Sequence, residues 1–457
     1  MHKRFSSLRN IFSAGIFFFL YNQMMGPQLN ASLCGELLDL EKLIIEKSAS
    51  VEHWLRDSFN NTAAPFYCSV DLRNACFKIA PVDTNLFPAG FNNLGAKDLA
   101  CTVQAFMTSI EKKCPDVENV LLIPENHTRN KYYLENLGNL YSILSNAGLT
   151  VRVGSINPDL IEKLKINYKN INGENAYFEI EPLTFKDGKL RIDDFDANLI
   201  ILNNDFSSGV PKDLLKVKDQ VIIPTLDSSW SFRRKSNHFS KYDQVSKEFC
   251  DFLGADNWLI NPMFEHCENI DFKNRQGEDC LTDHVSDLLK RIKKKYKDSG
   301  IQKNPFVVVK ADAGTYGMGI MTIRDASEIK NLNRKQRNKM SRIKEGVEVS
   351  DVLIQEGVYS FETFVDSEVV FVAEPVVYIV DRYVVGGFYR VHSERGLDEN
   401  LNAPGMQFFP LPFENGCQFP ALSKDPDSTT NRLYFYGVIA RLAAIAASKE
   451  INYSFTN

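Results

Sequence analysis

Residues 306–320 read FVVVKADAGTYGMGI, and the order of parts in this stretch decides the architecture around it. Three valines follow Pro305 and Phe306, and a short apolar run after a turn signal reads as a buried strand. The strand delivers Lys310 to its end. Gly314, Gly317 and Gly319 come next, spaced so that a loop can turn backbone N–H groups toward an anion, because glycine has no Cβ to block the approach. A P-loop sets its lysine after the glycines and opens a helix, and a dinucleotide fingerprint is G-x-G-x-x-G at a strand-to-helix turn. Here the lysine precedes a reversed G-x-x-G-x-G and the chain re-enters an apolar stretch, Ile320 to Ile323. The pattern predicts a glycine flap between two antiparallel strands that handles phosphate.

Downstream, residues 352–358 (VLIQEGV) predict an apolar strand meeting Gln355 and Glu356, a hinge whose backbone, through Val358, and glutamate would recognise a purine. Residues 369–391 alternate into two strands joined near Asp381. Glu374, Asp381 and Arg390 interrupt this apolar run, and a charge in a buried strand must be paired or bind something charged. The loop HSERGLDENLNAPG (392–405) adds Asp398, Glu399, Asn400 and Asn402. Hard oxygen ligands beside a phosphate loop suit magnesium, so Glu374, Asp381, Glu399, Asn400 and Asn402 are the candidate metal ligands. A basic helical stretch, 330–344, covers the nucleotide or faces water.

Upstream, NVLLIPENHTRNKYYLENLGNLYSILSNAGLTVRVG (119–154) reads as strand, polar turn, helix and strand, with Gly148 stopping the helix. The polar turn holds Glu125, His127 and Arg129 at the carboxyl end of a strand, where open α/β sheets bind ligands. Residues 197–211 repeat the theme with Asn203, Asn204 and Asp205. Another strand, 221–224, leads to Arg233, Arg234 and Lys235, which form either a carboxylate receiver or a solvated face. Residues 81–94, with Asp83, Asn85, Asn92 and Asn93, bind a polar small molecule or make local Asx turns. An apolar stripe predicts one helix over 33–55, and another covers 283–296. A polar stretch near 298–304 marks a boundary. The expected architecture is therefore α/β, with an α/β substrate domain over 31–298 and a nucleotide-binding α+β domain over 299–457.

The chain has 457 residues, 44% hydrophobic and 24% charged, within the range of globular proteins. Lys+Arg 53 against Asp+Glu 58 gives 53 − 58 = −5, so global charge argues against nucleic acid or an anionic membrane as partner. The nine cysteines lack C-x-x-C pairs, so their spacing indicates neither a zinc site nor a dense disulfide framework. Reduced thiols in the cytoplasm fit best. Residues 1–30 carry Lys3, Arg4 and Arg9 before an apolar run, Ile11 to Tyr21, that is either an export signal or an over-extended N-terminus.

The order lysine strand, glycine flap, Q-E-G-V hinge, paired strands ending in GGFYR, then ENLNAPG resembles the ATP-grasp carboxylate–amine ligases. KADAGTYGMGIM, AEPVVYIVDRYVVGGFYRVH and NLNAPG, with PVDTNLFPAGFNNL and LIPENHTRN upstream, are similar to the proteobacterial glutamate–cysteine ligase family, over roughly residues 65–450. The resemblance implies an ATP-grasp-like second domain and ATP-dependent joining of the L-glutamate side-chain carboxylate to the L-cysteine amine, with Mg2+. It implies ATP contacts from Lys310, Gly314, Gly317, Gly319, Gln355, Glu356 and Val358, and a catalytic Arg390 beside Lys310. Substrate contacts would come from Asn85, Asn92, Glu125, His127, Arg129, Asn203 and Arg233. One departure concerns Glu450 and Asn452, a Glu-x-Asn pair too near the terminus for a metal assignment. A glutathione synthetase or other carboxylate–amine ligase, and a non-catalytic nucleotide-binding regulator, are the alternatives.

Overall fold

The computed structural model describes residues 28–126, 130–193, 195–314, 319–342, 348–366, 368–412 and 419–454. Three larger sheets and a two-stranded one, Thr184–Lys186 with Lys189–Arg191, organise them, and the class is mixed α/β as expected. The first is largely parallel, in the order Val221–Ile223, Leu199–Asn203, Asn119–Pro124, Thr150–Ser155, Asn175–Pro182, with Leu164–Lys169 as an antiparallel edge. Its central strands are continuous apolar runs because both faces are buried, Val120, Leu122, Leu199 and Ile201 in one hydrophobic core and Leu121, Ile123, Ile200 and Leu202 in the other. The predicted strand–helix–strand of 119–154 is present. The Asn130 side chain caps its helix, Lys131–Asn146, by accepting from the Tyr133 N–H, and Gly148 leaves it at φ 85°.

The second sheet is antiparallel and built around the long strand Val369–Val380. One edge of that strand pairs with Tyr383–His392, then Gln407–Pro410. Along its other edge lie Thr363–Asp366 and Tyr67–Asn74 in tandem, the latter continued by Ile79–Asn85. Asp381 turns the hairpin with φ 54°. The third sheet, Phe264–Cys267, Val352–Glu356, Val307–Ala311, Ile320–Ile323, is antiparallel throughout, and the lysine strand pairs across the flap with Ile320–Ile323 as predicted.

Strands 67–85 belong to the same sheet as strands 363–410, so the second sheet crosses the boundary expected near residue 298. Strand pairing is long-range, whereas the polar stretch that suggested a boundary is a local signal. The stripe over 33–55 likewise forms two helices, Glu36–Glu46 and Ser48–Asn60, divided at Lys47.

The helix Thr429–Ser454 runs through the centre. Residues 433–440 and 442–447 are buried on every side, which is how a helix apolar all round behaves inside a large protein. It packs on the second sheet and on the helix Lys235–Leu253. No helix among the described residues is long and apolar enough to cross a membrane. Its Glu450 is buried and receives Arg233 bidentately, at 3.1 and 3.0 Å, with His238 at 3.3 Å. Arg233 also donates to the Thr84 carbonyl at 3.1 Å. The pair thus ties the last helix to the loop before Lys235–Leu253. Glu450→Ala leaves Arg233 buried without its anion, and breaking such a pair costs about 3–5 kcal/mol. Denaturant unfolding should show that loss, and a wild-type midpoint would contradict the anchor.

Candidate active site

A cavity of about 240 Å³ lies where the second and third sheets face each other. Strand alternation supplies its walls. In YCSVDLRN (Tyr67–Asn74) the apolar Cys68, Val70 and Leu72 turn into the core, while Ser69, Asp71 and Arg73 line the cavity. Glu374, Val376 and Tyr378 do the same from Val369–Val380, and Phe388 and Arg390 from the next strand. Glu374 is directly opposite Arg390 in the ladder, and Val376 opposite Asp71.

This register assembles a buried charge cluster. The Glu374 carboxylate accepts from Arg73 Nε at 3.0 Å on one oxygen and from Arg390 Nη1 on the other, and Arg390 Nη1 also reaches Asp71 at 2.9 Å. Arg73 donates further to the carbonyls of Val358 (3.3 Å) and Glu399 (2.6 Å), tying hinge and loop to the second sheet. Burial pushes the Glu374 carboxyl up, but Arg73 and Arg390 outweigh it and hold it below its ordinary value. Asp71 goes the other way. Burial raises it, Arg390 opposes, and the neighbouring Glu374 and Asp83 leave it above the usual carboxylate range.

Lys310 joins the two sheets. The lysine strand buries Val307, Val309 and Ala311 and turns Val308 and Lys310 to the cavity. Lys310 Nζ donates to the Val82 carbonyl of the second sheet at 2.7 Å and to Gln355 Oε1 of the third at 2.7 Å. Burial lowers its pKa to about 8, with Asp83 opposing that shift. Asp83 itself pairs with Lys235 at 2.7 Å, and Asp312, just past the lysine strand, accepts from the Ser236 N–H and hydroxyl, each at 2.7 Å. The flap base is thereby fixed to the start of helix Lys235–Leu253.

The profile of the glutamate–cysteine ligase family matches residues 41–451. The chain belongs to that family. Its reaction is the ATP-dependent ligation of glutamate with cysteine. A solved structure from Methylobacillus flagellatus KT, a "Putative gamma-glutamylcysteine synthetase", is 51% identical and covers 94% of this chain and 100% of its own, with a TM-score of 0.85. D-alanyl-alanine synthetase A from Vibrio cholerae (11% identity, 71% of this chain, 81% of its own, TM-score 0.33) is far more remote. So is a glutathione synthetase-like effector from Globodera pallida (9%, 84%, 85%, 0.37), and at these scores neither bears on the argument. No curated protein matches the chain.

In this family member the cavity brings together Lys310, Gly314, Gln355, Val358, Glu374, Arg390, Glu399, Asn400 and Asn402 among the residues singled out in the sequence, with Asn85 and Glu125 at the far wall. Gly319 lies at the end of the flap, where its carbonyl accepts from Ala311 N at 2.9 Å. Gly317, His127 and Arg129 lie outside the described residues. Four others have different surroundings from those expected. Arg233 is held by Glu450 rather than turned to the cavity. Asn203 is buried away from the cavity wall, donating to the Pro88 carbonyl at 3.0 Å and accepting from Asn136 at 3.1 Å. Asn92 bonds Asn93, which lines the wall in its place. Asp381 sits at the hairpin turn, 3.7 Å from Lys112, on none of the cavity walls.

Glu356 borders the cavity, but its carboxylate is engaged elsewhere. It accepts from Lys78 (3.0 Å), the Trp258 indole (3.0 Å) and the Met263 N–H (2.9 Å). Asp71 and Arg73 escaped the sequence reading, although the alternation in YCSVDLRN is the signal that reveals them. Since Arg73 and Arg390 share one carboxylate, Arg73→Ala and Arg390→Ala should destabilise non-additively, with a coupling of about 0.5–3 kcal/mol. A double-mutant cycle on unfolding free energies checks this, and additivity would contradict the shared anchor.

Proposed function

We propose that the cavity between the two sheets is where the glutamate side-chain carboxylate attacks the γ-phosphate of ATP and where the cysteine amine then displaces phosphate from the resulting acyl phosphate. The observation that carries this reading is Lys310, a buried ammonium facing the Arg73–Glu374–Arg390 cluster across the cavity. Lys310 and the described ends of the flap, Gly314 and Gly319, hold the β- and γ-phosphates. The purine lies against the 355–358 segment, met by backbone and by Gln355 and Val358, since the Glu356 carboxylate is already engaged. Arg390, fixed by Asp71 and Glu374, meets the negative charge that develops on the transferring phosphoryl group, a role of electrostatic preorganisation rather than covalent chemistry. Glu125, Asp205, Lys235 and Asn85 offer both charge signs and an amide, the set that seats a zwitterionic amino acid.

Magnesium fits the donor set. Among the described residues the wall carries eight carboxylates (Asp71, Asp83, Glu125, Asp205, Glu356, Glu374, Asp398, Glu399) against four cations (Arg73, Lys235, Lys310, Arg390). Divalent cations would offset the carboxylates that an incoming polyanion meets there. Asp71, Glu374 and Glu399, with the Asn400 and Asn402 amides, are hard oxygen donors that would share the ion with ATP phosphates, the mode magnesium prefers. When bound it neutralises and orients those phosphates. Asp381, at the hairpin turn, and Glu450, held by Arg233 and His238, lie away from these donors. Dependence on ATP fits a cytoplasmic enzyme.

Lys310→Ala should weaken a non-hydrolysable ATP analogue about tenfold to a hundredfold, as a charge-assisted contact is worth about 1.5–3 kcal/mol. The pH dependence has a definite sign. Below pH 8 the Lys310 ammonium is already in place, but above it the free protein loses that proton and the phosphates must restore it. Calorimetry in buffers of different ionisation enthalpy should therefore find proton uptake on binding above about pH 8, absent in Lys310→Ala. Unchanged affinity in the mutant would contradict the assignment.

A further inference from the structure

Two thiols and an imidazole meet on the back of the third sheet, away from the cavity. Strand alternation in Phe264–Cys267 turns His266 toward Asp312 (3.3 Å) and sends Cys267 to the opposite face, which the helix Glu278–Asp298 covers. Cys280 and His284 lie four residues apart on that helix, hence on one face. Cys267 Sγ is 3.6 Å from Cys280 Sγ and 2.9 Å from His284 Nδ1, and Cys280 Sγ is 3.7 Å from the same nitrogen. A tetrahedral centre with metal–sulfur bonds of about 2.3 Å and metal–nitrogen bonds of about 2.0–2.1 Å sets sulfurs about 3.8 Å apart and sulfur from nitrogen about 3.6 Å. Two of the three edges already match, and the short one opens by turning the half-buried imidazole.

The connection between the ligands is itself fixed. Asp271 Oδ1 accepts from the N–H groups of Lys273 (2.8 Å) and Asn274 (3.1 Å), and Ile270 N donates to the Ser350 carbonyl at 2.7 Å. Gly277 enters the helix at φ 77°, where a Cβ would meet Ile270 Cδ1 at 2.5 Å. The fold, rather than an ion, sets the positions of the three groups. Cys280 is exposed, so the fourth tetrahedral position opens to solvent.

We propose that Cys267, Cys280 and His284 bind a zinc-class divalent cation, with water as the fourth ligand. Borderline-soft ions are what two thiolates and an imidazole select. Binding releases both thiol protons and leaves the oxidation states unchanged. The ion staples the edge strand to the helix behind the lysine strand, so its effect falls on the stability of the third sheet and not on the reacting groups. The spacing C-x12-C-x3-H lacks the paired-cysteine pattern, which is why linear spacing indicated no zinc site.

The test is titration of the reduced, chelator-stripped full chain with Co2+. Thiolate-to-cobalt charge transfer and ligand-field bands of tetrahedral intensity should saturate at one ion per chain and vanish when Zn2+ is added, and Zn2+ should raise the melting temperature. Cys280→Ser, at an exposed position, should lose the charge-transfer band and the thermal shift, while Cys114→Ser keeps both. Absence of the band in the reduced wild type overturns the site, as does a band that persists in both Cys280→Ser and His284→Ala. A Cys267–Cys280 disulfide in metal-free protein as purified from cells would overturn it equally.

Discussion

The Glu374 carboxylate held between Arg73 and Arg390 is the constraint on which the site depends. The hairpin Val369–Val380 with Tyr383–His392 and the sequence-distant strand Tyr67–Asn74 must be in one register for these charges to meet, because a one-residue slip sends every side chain to the opposite face. With the register kept, one buried anion takes two guanidiniums and the second of these also takes Asp71. With the register lost, the same groups are buried unpaired, at a cost of several kcal/mol per ion. The cluster therefore selects one alignment of the second sheet.

Lys310 extends that selection to the third sheet. Its ammonium donates to the carbonyl of Val82 and to Gln355, so the lysine strand is positioned against the wall that carries Arg390. Just past that strand, Asp312 accepts from the Ser236 N–H and hydroxyl and, through its carbonyl, from the Lys235 N–H. The acyl-phosphate route proposed above takes no nucleophile from the protein. In the mechanism proposed above, two anions are brought together and their charge compensated, and the cavity's fixed cations among carboxylates would serve that end. Positioning and electrostatics are the terms such a site contributes.

Local signals were legible in the sequence. The strand–lysine–glycine hairpin, the strand–helix–strand of 119–154 and the paired strands at 369–391 follow from apolar periodicity and turn residues, and each is present. Charged residues inside apolar strands, Glu374 and Arg390, pointed to the cavity for the physical reason that buried charge needs a partner. The same rule misplaced Asp381, whose backbone turns at positive φ and takes it out of the sheet. Arg233 has the local look of a substrate group, because nothing near it in the sequence shows that Glu450, 217 residues later, receives it. Asp71 and Arg73 lie in an eight-residue alternation that was legible yet unread, and the single sheet formed by strands 67–85 and 363–410 could not be seen from linear punctuation.

The central claim is that the side-chain carboxylate of glutamate becomes an acyl phosphate in the cavity between the second and third sheets. The most direct measurement uses glutamate carrying oxygen-18 in that carboxylate, with ATP, Mg2+ and cysteine, followed by mass spectrometry of the released phosphate. One labelled oxygen transferred to phosphate for each peptide bond formed is the predicted result. Product formed with unlabelled phosphate would contradict the account.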